Sequence, residues 1–480
     1  MAVKDEIQVS YRISVNTDVN TSSGKLSQNW DKYVYTLCIF LNNLAFGMTC
    51  SIFYPTMVDM KYIFNTSMER VSVSNTFGSI GYLCGSLFGF LYKRLNRQMT
   101  LIVLLLAISI AITVMPFAPN LLALYFCSFV TLSGGGAWNA ANGVWLIEMW
   151  HKSSPPVLQF SQFMYGLGCI LAPLLVKPYL TGELASNSTI VPIVSTTTLS
   201  TITSTEINKA IDRRALLKTP FMINGLIQSL IPIVLFIMFF VKRYEYIKPN
   251  LKRKESVEDL SSTGVENFDD NGSVTSESTQ VIPRDSDSLR RDRRLNIVLI
   301  AIFLATYTTV ELSHFSYSST YYQFISLGIT AREAAEIFSI MASSFTIGRC
   351  VSALIAIKLK PKVMIGYHFF VIFVALIVLY MGLKSDRLIW LGNVIIGFGF
   401  SAVFPAIFAF AEEYIKINDK ISTILIFSSA SLNLFTPFIL GPLLENNSFI
   451  LLEFEIVFFS SAVILFVVIL FVIKPVQTST

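Results

Sequence analysis

Charge is the first thing that this sequence lacks. Charged residues make up only 14% of the 480 residues, against roughly 25% in a typical soluble domain. Hydrophobic residues make up 53%, and most of them fall in long runs. We therefore expect a membrane protein whose main surroundings are the lipid bilayer. The net charge of +5 is small, and its basic residues sit in short loops, which argues against nucleic acid as a partner.

Groups for catalysis or metal binding are also scarce. The three histidines (His151, His314 and His368) lie far apart, and the six cysteines form no Cys-x-x-Cys pair. The sequence has no Gly-x-x-x-x-Gly-Lys-Ser/Thr loop, which removes the signature of an ATP-driven pump. We predict that the protein is not an enzyme and holds no resident cofactor or metal. The only ion that we expect is a transported Na⁺ or H⁺.

Long apolar runs are what the sequence has in abundance. Crossing a bilayer core of ~30 Å takes about 20 helical residues, and twelve segments of the chain suit this length. They lie near residues 33–58, 71–92, 98–117, 120–149, 157–180, 218–241, 295–320, 333–357, 362–383, 388–411, 419–442 and 449–474. The predicted fold class is an all-α membrane protein with twelve transmembrane helices, and we expect a monomer.

The two halves of the chain match after a shift of 264 residues, which lays Gly135 on Gly399 and Glu148 on Glu412. Many secondary transporters are built from such repeats, with a solute site between the two halves. We therefore predict two pseudo-symmetric six-helix bundles, an N-terminal one over 33–241 and a C-terminal one over 295–474.

Four polar segments flank or interrupt the bundles: a tail at 1–32, a Ser/Thr-rich loop at 181–217, a linker at 242–294 and a tail at 475–480. The first tail lacks the pattern of a cleaved signal, so the first span is expected to direct insertion. The linker has basic ends and an acidic, Ser-rich middle. Such a composition cannot bury enough apolar surface to fold alone, which predicts a disordered cytoplasmic linker.

The loops after the even-numbered spans are rich in Lys and Arg. The positive-inside rule places these loops and both termini in the cytoplasm, and we expect a plasma-membrane protein. Arg213, Arg214 and Lys218 on the other side weaken the contrast. Sequons at Asn65, Asn187 and Asn446 fall in loops predicted to be external, where glycosylation is expected.

The loop after the second span reads Gly89-Phe-Leu-Tyr-Lys93-Arg94-Leu-Asn96-Arg97-Gln98. It resembles the signature loop of the major facilitator superfamily, Gly-x-x-x-Asp-Arg-x-Gly-Arg-Arg, with Lys93 and Asn96 as departures. A simple positive-inside cluster would also explain the run. Glu148 can meet Arg94 or Arg97, and Lys358 with Glu412 repeats the arrangement. We predict that these two ion pairs latch a cytoplasmic gate in the outward-open state, so that they break when the inside opens.

The fourth span and its exit carry the most specific string, Gly134-Gly135-Gly136-Ala-Trp138-Asn139-Ala-Ala-Asn142-Gly-Val-Trp145-Leu-Ile-Glu148-Met-Trp150, followed by Gln159 and Gly166-x-Gly168. It is similar to the sodium-dependent glucose transporter-like branch of the superfamily, the group of major facilitator superfamily domain-containing protein 4, related to fucose permeases. The resemblance implies a sugar as solute. Trp138 stands where the group has Asp and Gln162 where it has His, so the particular sugar and the coupling ion stay open.

Amide side chains are concentrated in the first, fourth and fifth spans. We predict that the solute is bound by Asn42, Asn43, Asn139, Asn142, Gln159 and Gln162, with Trp138 covering the apolar face of a sugar ring. Amides both donate and accept hydrogen bonds, as sugar hydroxyls require, and an aromatic face suits the ring. For any single amide, a bond from helix to helix is the alternative.

A carboxylate inside the seventh span, Glu311, has a histidine three residues later, His314, on the same helical face. Ionisable groups inside a membrane are costly and are functional by default. We predict that the two form a coupling site for an ion. The alternative is a structural pair that stabilises a broken seventh span.

The leading prediction for the whole chain is a multi-pass secondary transporter that moves a small polar solute, a hexose such as glucose being the first choice, by alternating access. Coupling to sodium or protons is left open. The alternative is a transporter-like nutrient sensor or orphan membrane protein with little transport, because the acid of the fourth span is lost.

Overall fold

The computed structural model describes residues 30–88, 92, 95–183, 212–244, 286–415 and 419–472. Arg94, Asn187, most of the two tails, most of the loop 181–217 and most of the linker 242–294 lie outside the described residues. What was predicted for them stays a prediction.

The first half of the described chain folds into six helical spans. They are span 1 (Trp30–Ile52, continued after the 3₁₀ turn Tyr54–Thr56 by Met57–Ile63), span 2 (Met68–Ser86), span 3 (Arg97–Val114), span 4 (Leu121–Trp150), span 5 (Ser154–Val176) and span 6 (Arg213–Val241). We call the bundle that they form the first bundle.

The second half forms the second bundle in the same way. Its spans are span 7 (Ser286–Tyr321), span 8 (Ala331–Ile355), span 9 (Pro361–Gly382), span 10 (Asp386–Phe400 and Val403–Tyr414), span 11 (Asp419–Ser431, the 3₁₀ turn Leu432–Leu434 and Thr436–Leu443) and span 12 (Ile450–Val472). The predicted architecture of two six-helix bundles is confirmed. Span 7 is continuous, so the broken seventh span considered above is not observed.

The helix boundaries follow from local sequence. Asn96 caps span 3 by accepting a hydrogen bond from the Met99 N–H at 3.2 Å, which gives the Asn in the signature loop a structural role. Asn120 caps span 4 in the same way, and Thr330 with Glu333 forms a capping box before span 8. These caps fix where spans 3, 4 and 8 begin.

One span departs from the others in composition. Eleven helical segments of the described chain are long and apolar enough to cross a membrane, and span 2 is not among them. Span 2 is rich in Ser, Thr and Gly, and it packs tightly on span 4. A Cβ on Gly85 would lie 1.8 Å from the Ser133 carbonyl oxygen, so only glycine permits this approach. A polar span that is covered by its neighbours tolerates the bilayer because lipid does not reach its polar side.

The two ends of the bundles are distinguished here by the chain termini. The termini face is the end at which span 1 begins and span 12 ends, and the opposite face is the other end. All odd-numbered spans run from the termini face to the opposite face, since the helices alternate in direction.

Candidate solute cavity

Three contacts between the bundles close the opposite face. Lys61 of the first bundle forms an ion pair with Glu445 of the second at 2.8 Å. Lys177 pairs in the same way with Glu336. Between them, the Thr320 hydroxyl donates to the carbonyl oxygen of Tyr54 at 3.4 Å. The two bundles are therefore joined at this end.

The bundles stay in contact to about the middle of the membrane. Spans 2 and 11 are linked by a hydrogen bond from Thr76 to the Leu434 carbonyl at 3.0 Å, and by Asn433 with Ser79 at 3.5 Å. Spans 5 and 8 are linked by Ser339, which donates to the Ile170 carbonyl at 3.1 Å. A Cβ on Gly166 would lie 2.4 Å from the Thr346 hydroxyl, so the fifth and eighth spans touch there.

The last described contact between spans 5 and 8 joins Arg349 to Gln162, with 3.4 Å between Nη1 and Oε1. Beyond it, toward the termini face, Gln159 and Phe160 of span 5 are exposed, and Leu354 of span 8 is 70% exposed. The bundles thus separate below mid-membrane. From these exposed side chains we infer a cavity that opens to the termini face and is closed at the opposite face.

Three of the seven residues predicted to bind solute are exposed. Gln162 and Gln159 lie one turn apart on the side of span 5 that meets span 8. Asn139 is exposed on span 4, and its amide donates to the Tyr82 hydroxyl at 3.3 Å. Asn139 continues the helical face of Ser128 and Leu132, which line a small pocket between the bundles.

The other four predicted residues are buried within the first bundle. Trp138 is fully buried, and its indole N–H donates to Asn43 Oδ1 at 2.7 Å. The Asn43 amide in turn donates to Ser161, and Asn42 accepts from Gln228 at 3.0 Å. Asn142 is 4% exposed and donates to Asn139 at 3.3 Å. These positions are a correction: Asn42 and Asn43 bond from helix to helix, Asn142 bonds within span 4, and Trp138 offers no face to a solute.

The predicted pair of Glu311 and His314 is also corrected. Glu311 is half-buried and accepts a hydrogen bond from the Tyr307 hydroxyl at 2.8 Å. It lies on the side of span 7 away from the exposed apolar residues Val298 and Ile302, and Arg349 is the nearby positive charge that acts on it. Glu311 therefore belongs to the cavity.

His314 belongs to the interior of the second bundle instead. It is fully buried, with Nδ1 at 2.9 Å from Glu455 Oε1 and Nε2 at 3.3 Å from Asn393 Oδ1. The Asn393 amide donates to the Tyr322 hydroxyl at 2.8 Å. Side chains three residues apart share one broad face, yet they reach different neighbours here: His314 meets span 12, and Glu311 meets the cavity. Sequence analysis did not identify Glu455 as the partner of His314, because Glu455 follows the start of a very apolar span.

At the termini face, one predicted ion pair forms and the other does not. Arg97 and Glu148 pair through both guanidinium nitrogens, with 3.2 Å between Nη1 and Oε1. The Tyr244 hydroxyl donates to Glu148 Oε2 at 2.9 Å; burial and this hydrogen bond raise the pKa of Tyr244, so it remains a donor. Lys358 and Glu412 are both exposed, and no ion pair joins them in the part of the chain that the structure describes.

The latch hypothesis is corrected by this geometry. The hypothesis requires the Arg97–Glu148 pair to be broken when the termini face is open, but the pair is intact while that face is open. Both residues belong to the first bundle, so their bond can persist while the two bundles separate. The contacts that do join the bundles are the ion pairs of the opposite face.

A buried ion pair accounts for Arg213, one of the basic residues that weakened the charge contrast between the two sides of the membrane. Arg213 pairs with Asp59, and the two side chains are 3% and 1% exposed. Asp59 also accepts from the Gly182 N–H at 3.1 Å, and Arg213 donates to the Gly182 carbonyl at 2.8 Å. Because Asp59 neutralises Arg213, the charge that the loop presents to its surroundings is smaller than the sequence indicates. Because the charge of Asp59 is neutralised in this pair, span 1 can also continue past residue 58, its predicted end.

Two of the three predicted glycosylation sites lie in the described chain. Asn65 and Asn446 are exposed and both lie at the opposite face, whereas Asn187 lies outside the described residues. Their placement on one face agrees with the prediction. Modification itself stays a prediction.

Arg349 is the cavity residue that sequence reasoning did not assign to the site. It lies in the middle of span 8, packs its guanidinium over Phe345 with 4.4 Å to the ring centroid, and reaches Gln162. An arginine within a predicted span was the available signal, since such charges are rare in membranes and usually functional.

Residues 39–437 match the family model of the Major Facilitator Superfamily. The chain is 22% identical over 439 residues to major facilitator superfamily domain-containing protein 4B of Danio rerio, covering 86% of this chain and 81% of that protein. It is 22% identical over 407 residues to sodium-dependent glucose transporter 1A of Mus musculus, covering 83% and 87%.

Two solved structures show the same fold. The xylose transporter XylE from E. coli, in a partially occluded inward open conformation, superposes with a TM-score of 0.64 at 11% identity, over 94% of this chain and 99% of that one. The E. coli fucose:proton symporter FucP superposes with a TM-score of 0.54 at 14% identity, over 92% and 99%.

The fold of two six-helix bundles around one cavity is that of a secondary transporter. With the family match over most of its length, the chain belongs to the Major Facilitator Superfamily. It is a multi-pass membrane transporter and not an enzyme, as the sequence predicted.

Proposed function

We propose that this protein is a secondary transporter that moves a hexose, glucose being the first choice, by alternating access between its two bundles. The solute would bind at the solute site, which we define as Asn139, Gln162, Glu311 and Arg349. The first two come from the first bundle and the last two from the second. A solute held from both sides is sensitive to how the bundles are oriented, which is what alternating access requires.

One observation carries the proposal: a cavity closed at the opposite face exposes amide, carboxylate and guanidinium groups from both bundles. Sugar hydroxyls both donate and accept hydrogen bonds. Glu311 can accept from them, Arg349 can donate to them, and the two amides can do both. The names of the relatives, a sodium-dependent glucose transporter among them, agree with a sugar as the solute class.

We further propose Glu311 as the residue through which an ion couples to transport. Its carboxylate is half-buried, and its hydrogen-bond partner in the described chain is Tyr307. A Na⁺ ion or a proton would neutralise the carboxylate, which lowers the cost of holding it inside the membrane. His314 has no part in this proposal, because its partners are Glu455 and Asn393.

Orientation and location complete the proposal. We infer that the termini face is cytoplasmic, that the protein acts as a monomer and that it resides in the plasma membrane. The basic loops of the termini face support this orientation, and so do the exposed sequons of Asn65 and Asn446 at the opposite face. The conformation described is then the inward-open one.

Counterflow in proteoliposomes tests the function. Vesicles with the purified full-length protein are loaded with unlabelled D-glucose, D-xylose, an amino acid or a nucleoside, and uptake of the labelled compound is followed with and without Na⁺ or pH gradients. We expect counterflow of D-glucose above that of the amino acid and the nucleoside. Binding of D-glucose without counterflow would instead indicate a sensor, and no response to either sugar would contradict the proposal.

A further inference from the structure

A small pocket lies at the closed end of the cavity, apart from the solute site, and we call it the end pocket. Apolar side chains such as Phe53, Ile112 and Met115 form most of its lining, and its polar side chains include Thr49, Asn75, Thr131, Ser316 and Asn433. It lies between spans 1 to 4 of the first bundle and spans 7 and 11 of the second. Beside it, the Thr76 hydroxyl donates to the Leu434 carbonyl and joins the two bundles.

The end pocket is too small for a whole solute. Its volume is about 60 Å³, whereas pockets that enclose a complete small molecule measure roughly 300–1,000 Å³. A single ordered water needs roughly 10–15 Å³ of such space, so the pocket has room for a small group of a few non-hydrogen atoms. Asn75 and Asn433 are partly exposed, so the pocket communicates with the cavity.

Buried polar atoms of the end pocket lack hydrogen-bond partners among the described residues. Thr131 is 4% exposed, and its hydroxyl makes no hydrogen bond in this part of the chain; the Asn75 amide nitrogen makes none either. Hydroxyls of other spans, such as Thr49 and Thr113, donate to the carbonyl four residues earlier, which is the usual outcome in a helix. The Thr131 hydroxyl does not. A buried hydroxyl without a partner is costly, so a group that enters the pocket and bonds to it gains affinity.

We propose that the end pocket is a specificity subsite that takes the hydroxymethyl group of a hexose. This inference rests on the proposed function and adds which end of the sugar enters first. A hydroxymethyl group has two non-hydrogen atoms and fits within this pocket, and its hydroxyl can donate to and accept from Thr131. The ring stays in the wider cavity, toward the solute site. The protein then prefers hexoses over sugars that lack this group.

Variants of span 2 and span 4 test the subsite. Gly78→Ala places a methyl group in the pocket, and its Cβ would lie 2.7 Å from the flexible Leu132 side-chain end, so the variant should fold. Thr131→Val keeps the shape and removes the hydroxyl. Gly143→Ala is the matched control on span 4, because a Cβ there meets nothing within 4 Å.

The measurement is counterflow of labelled D-glucose, with competition by unlabelled D-glucose, 6-deoxy-D-glucose and D-xylose. In the wild type we expect D-glucose to compete at least about tenfold better than the two analogues, because they leave the Thr131 hydroxyl unpaired. Thr131→Val should abolish most of this preference. Gly78→Ala should make competition by D-glucose about tenfold weaker and leave competition by D-xylose unchanged. Gly143→Ala should behave as the wild type.

The outcomes separate this inference from the function on which it rests. D-Glucose transport with no preference over the analogues, or with a preference that both variants retain, overturns the subsite alone. A wild-type protein that transports neither sugar overturns the proposed function, and the subsite with it. If Gly78→Ala weakened competition by D-glucose and by D-xylose by the same factor, Gly78 would be assigned to helix packing and the subsite would be rejected.

Discussion

Glu311 and Arg349 give the cavity its two charges, and both come from the second bundle. Their hydrogen-bond partners are neutral: Glu311 accepts from Tyr307, and Arg349 reaches Gln162. The first bundle contributes amides, and Trp138 of span 4 is buried against Asn43. The chemistry of the site is therefore divided unequally between the bundles.

Replacing Glu311 by Gln removes the charge and keeps an acceptor for the Tyr307 hydroxyl. If Glu311 carries the coupling, uptake by Glu311→Gln should no longer respond to a Na⁺ or pH gradient, while counterflow of the solute without a gradient persists. Uptake assays in proteoliposomes check this. The control is Glu453→Gln, an exposed carboxylate of span 12 at the opposite face. A variant that responds to gradients like the wild type would remove Glu311 from the coupling.

Asp59 and Arg213 form a buried ion pair, so removing one partner leaves an uncompensated charge. We expect Asp59→Asn to destabilise the protein by about 3–5 kcal/mol, as for other buried pairs. The midpoint of unfolding in detergent measures this against Asp386→Asn, an exposed residue of the same face for which a change within about 0.5 kcal/mol is expected. Equal effects of the two substitutions would mean that the pair is not essential to the fold.

At the scale of helices, the contacts that can act as a gate in this conformation join spans 1 and 5 to the second bundle. Lys61 meets Glu445, and Lys177 meets Glu336, at the opposite face. The Arg97–Glu148 pair lies inside the first bundle, where Tyr244 and Gln98 also tie the end of span 6 to spans 3 and 4. That cluster stiffens one bundle, whereas the opposite-face pairs hold two bundles together.

Reversing one charge of the gate should favour the conformation in which the opposite face is open. A partly exposed ion pair contributes about 0.2–1 kcal/mol, and a change of about 1 kcal/mol alters a two-state ratio roughly fivefold. We expect Lys61→Glu to lower the labelling rate of a cysteine at Gln159, in the cavity, by up to about fivefold. The double reversal Lys61→Glu with Glu445→Lys should restore labelling, and an unchanged rate in the single variant would contradict the gate.

At the scale of the whole molecule, the described conformation has one open end. The bundles meet from the opposite face to mid-membrane and separate below Arg349 and Gln162. Alternating access needs the reverse arrangement as well, in which the opposite-face contacts break and the termini face closes. A solute that contacts both bundles can lower the energy of the closed intermediate only because the polar groups are split between them.

The orientation of the whole molecule is testable through its sequons. With the termini face in the cytoplasm, the protein expressed in a eukaryotic host should carry a glycan at Asn446. Asn446→Gln should then remove a mobility shift that glycosidase also removes. Asn20→Gln, which removes the Asn-Thr-Ser sequon of the N-terminal tail, should have no effect. A shift that depends on Asn20 would place the termini outside and reverse the proposed orientation.

The twelve spans, the internal repeat and the family could all be predicted from the sequence, because length, hydropathy and motif spacing are local properties of the chain. Span 2 was predicted as well, although its polar composition leaves it out of the eleven segments that are apolar enough to cross a membrane. What the tertiary structure decided is the partner of each polar side chain. Asn43 and Asn139 look alike in sequence, yet one bonds to Trp138 and the other is exposed.

The same holds for His314 and Arg213, whose partners Glu455 and Asp59 lie 141 and 154 residues away in the sequence. A polar residue within a membrane helix must find a partner or water, but the helix presents several neighbours and its sequence does not specify which one. The requirement for a partner is thus determined by the sequence alone. Its identity is decided by how twelve helices rotate and pack, because only packing brings distant side chains within hydrogen-bonding distance.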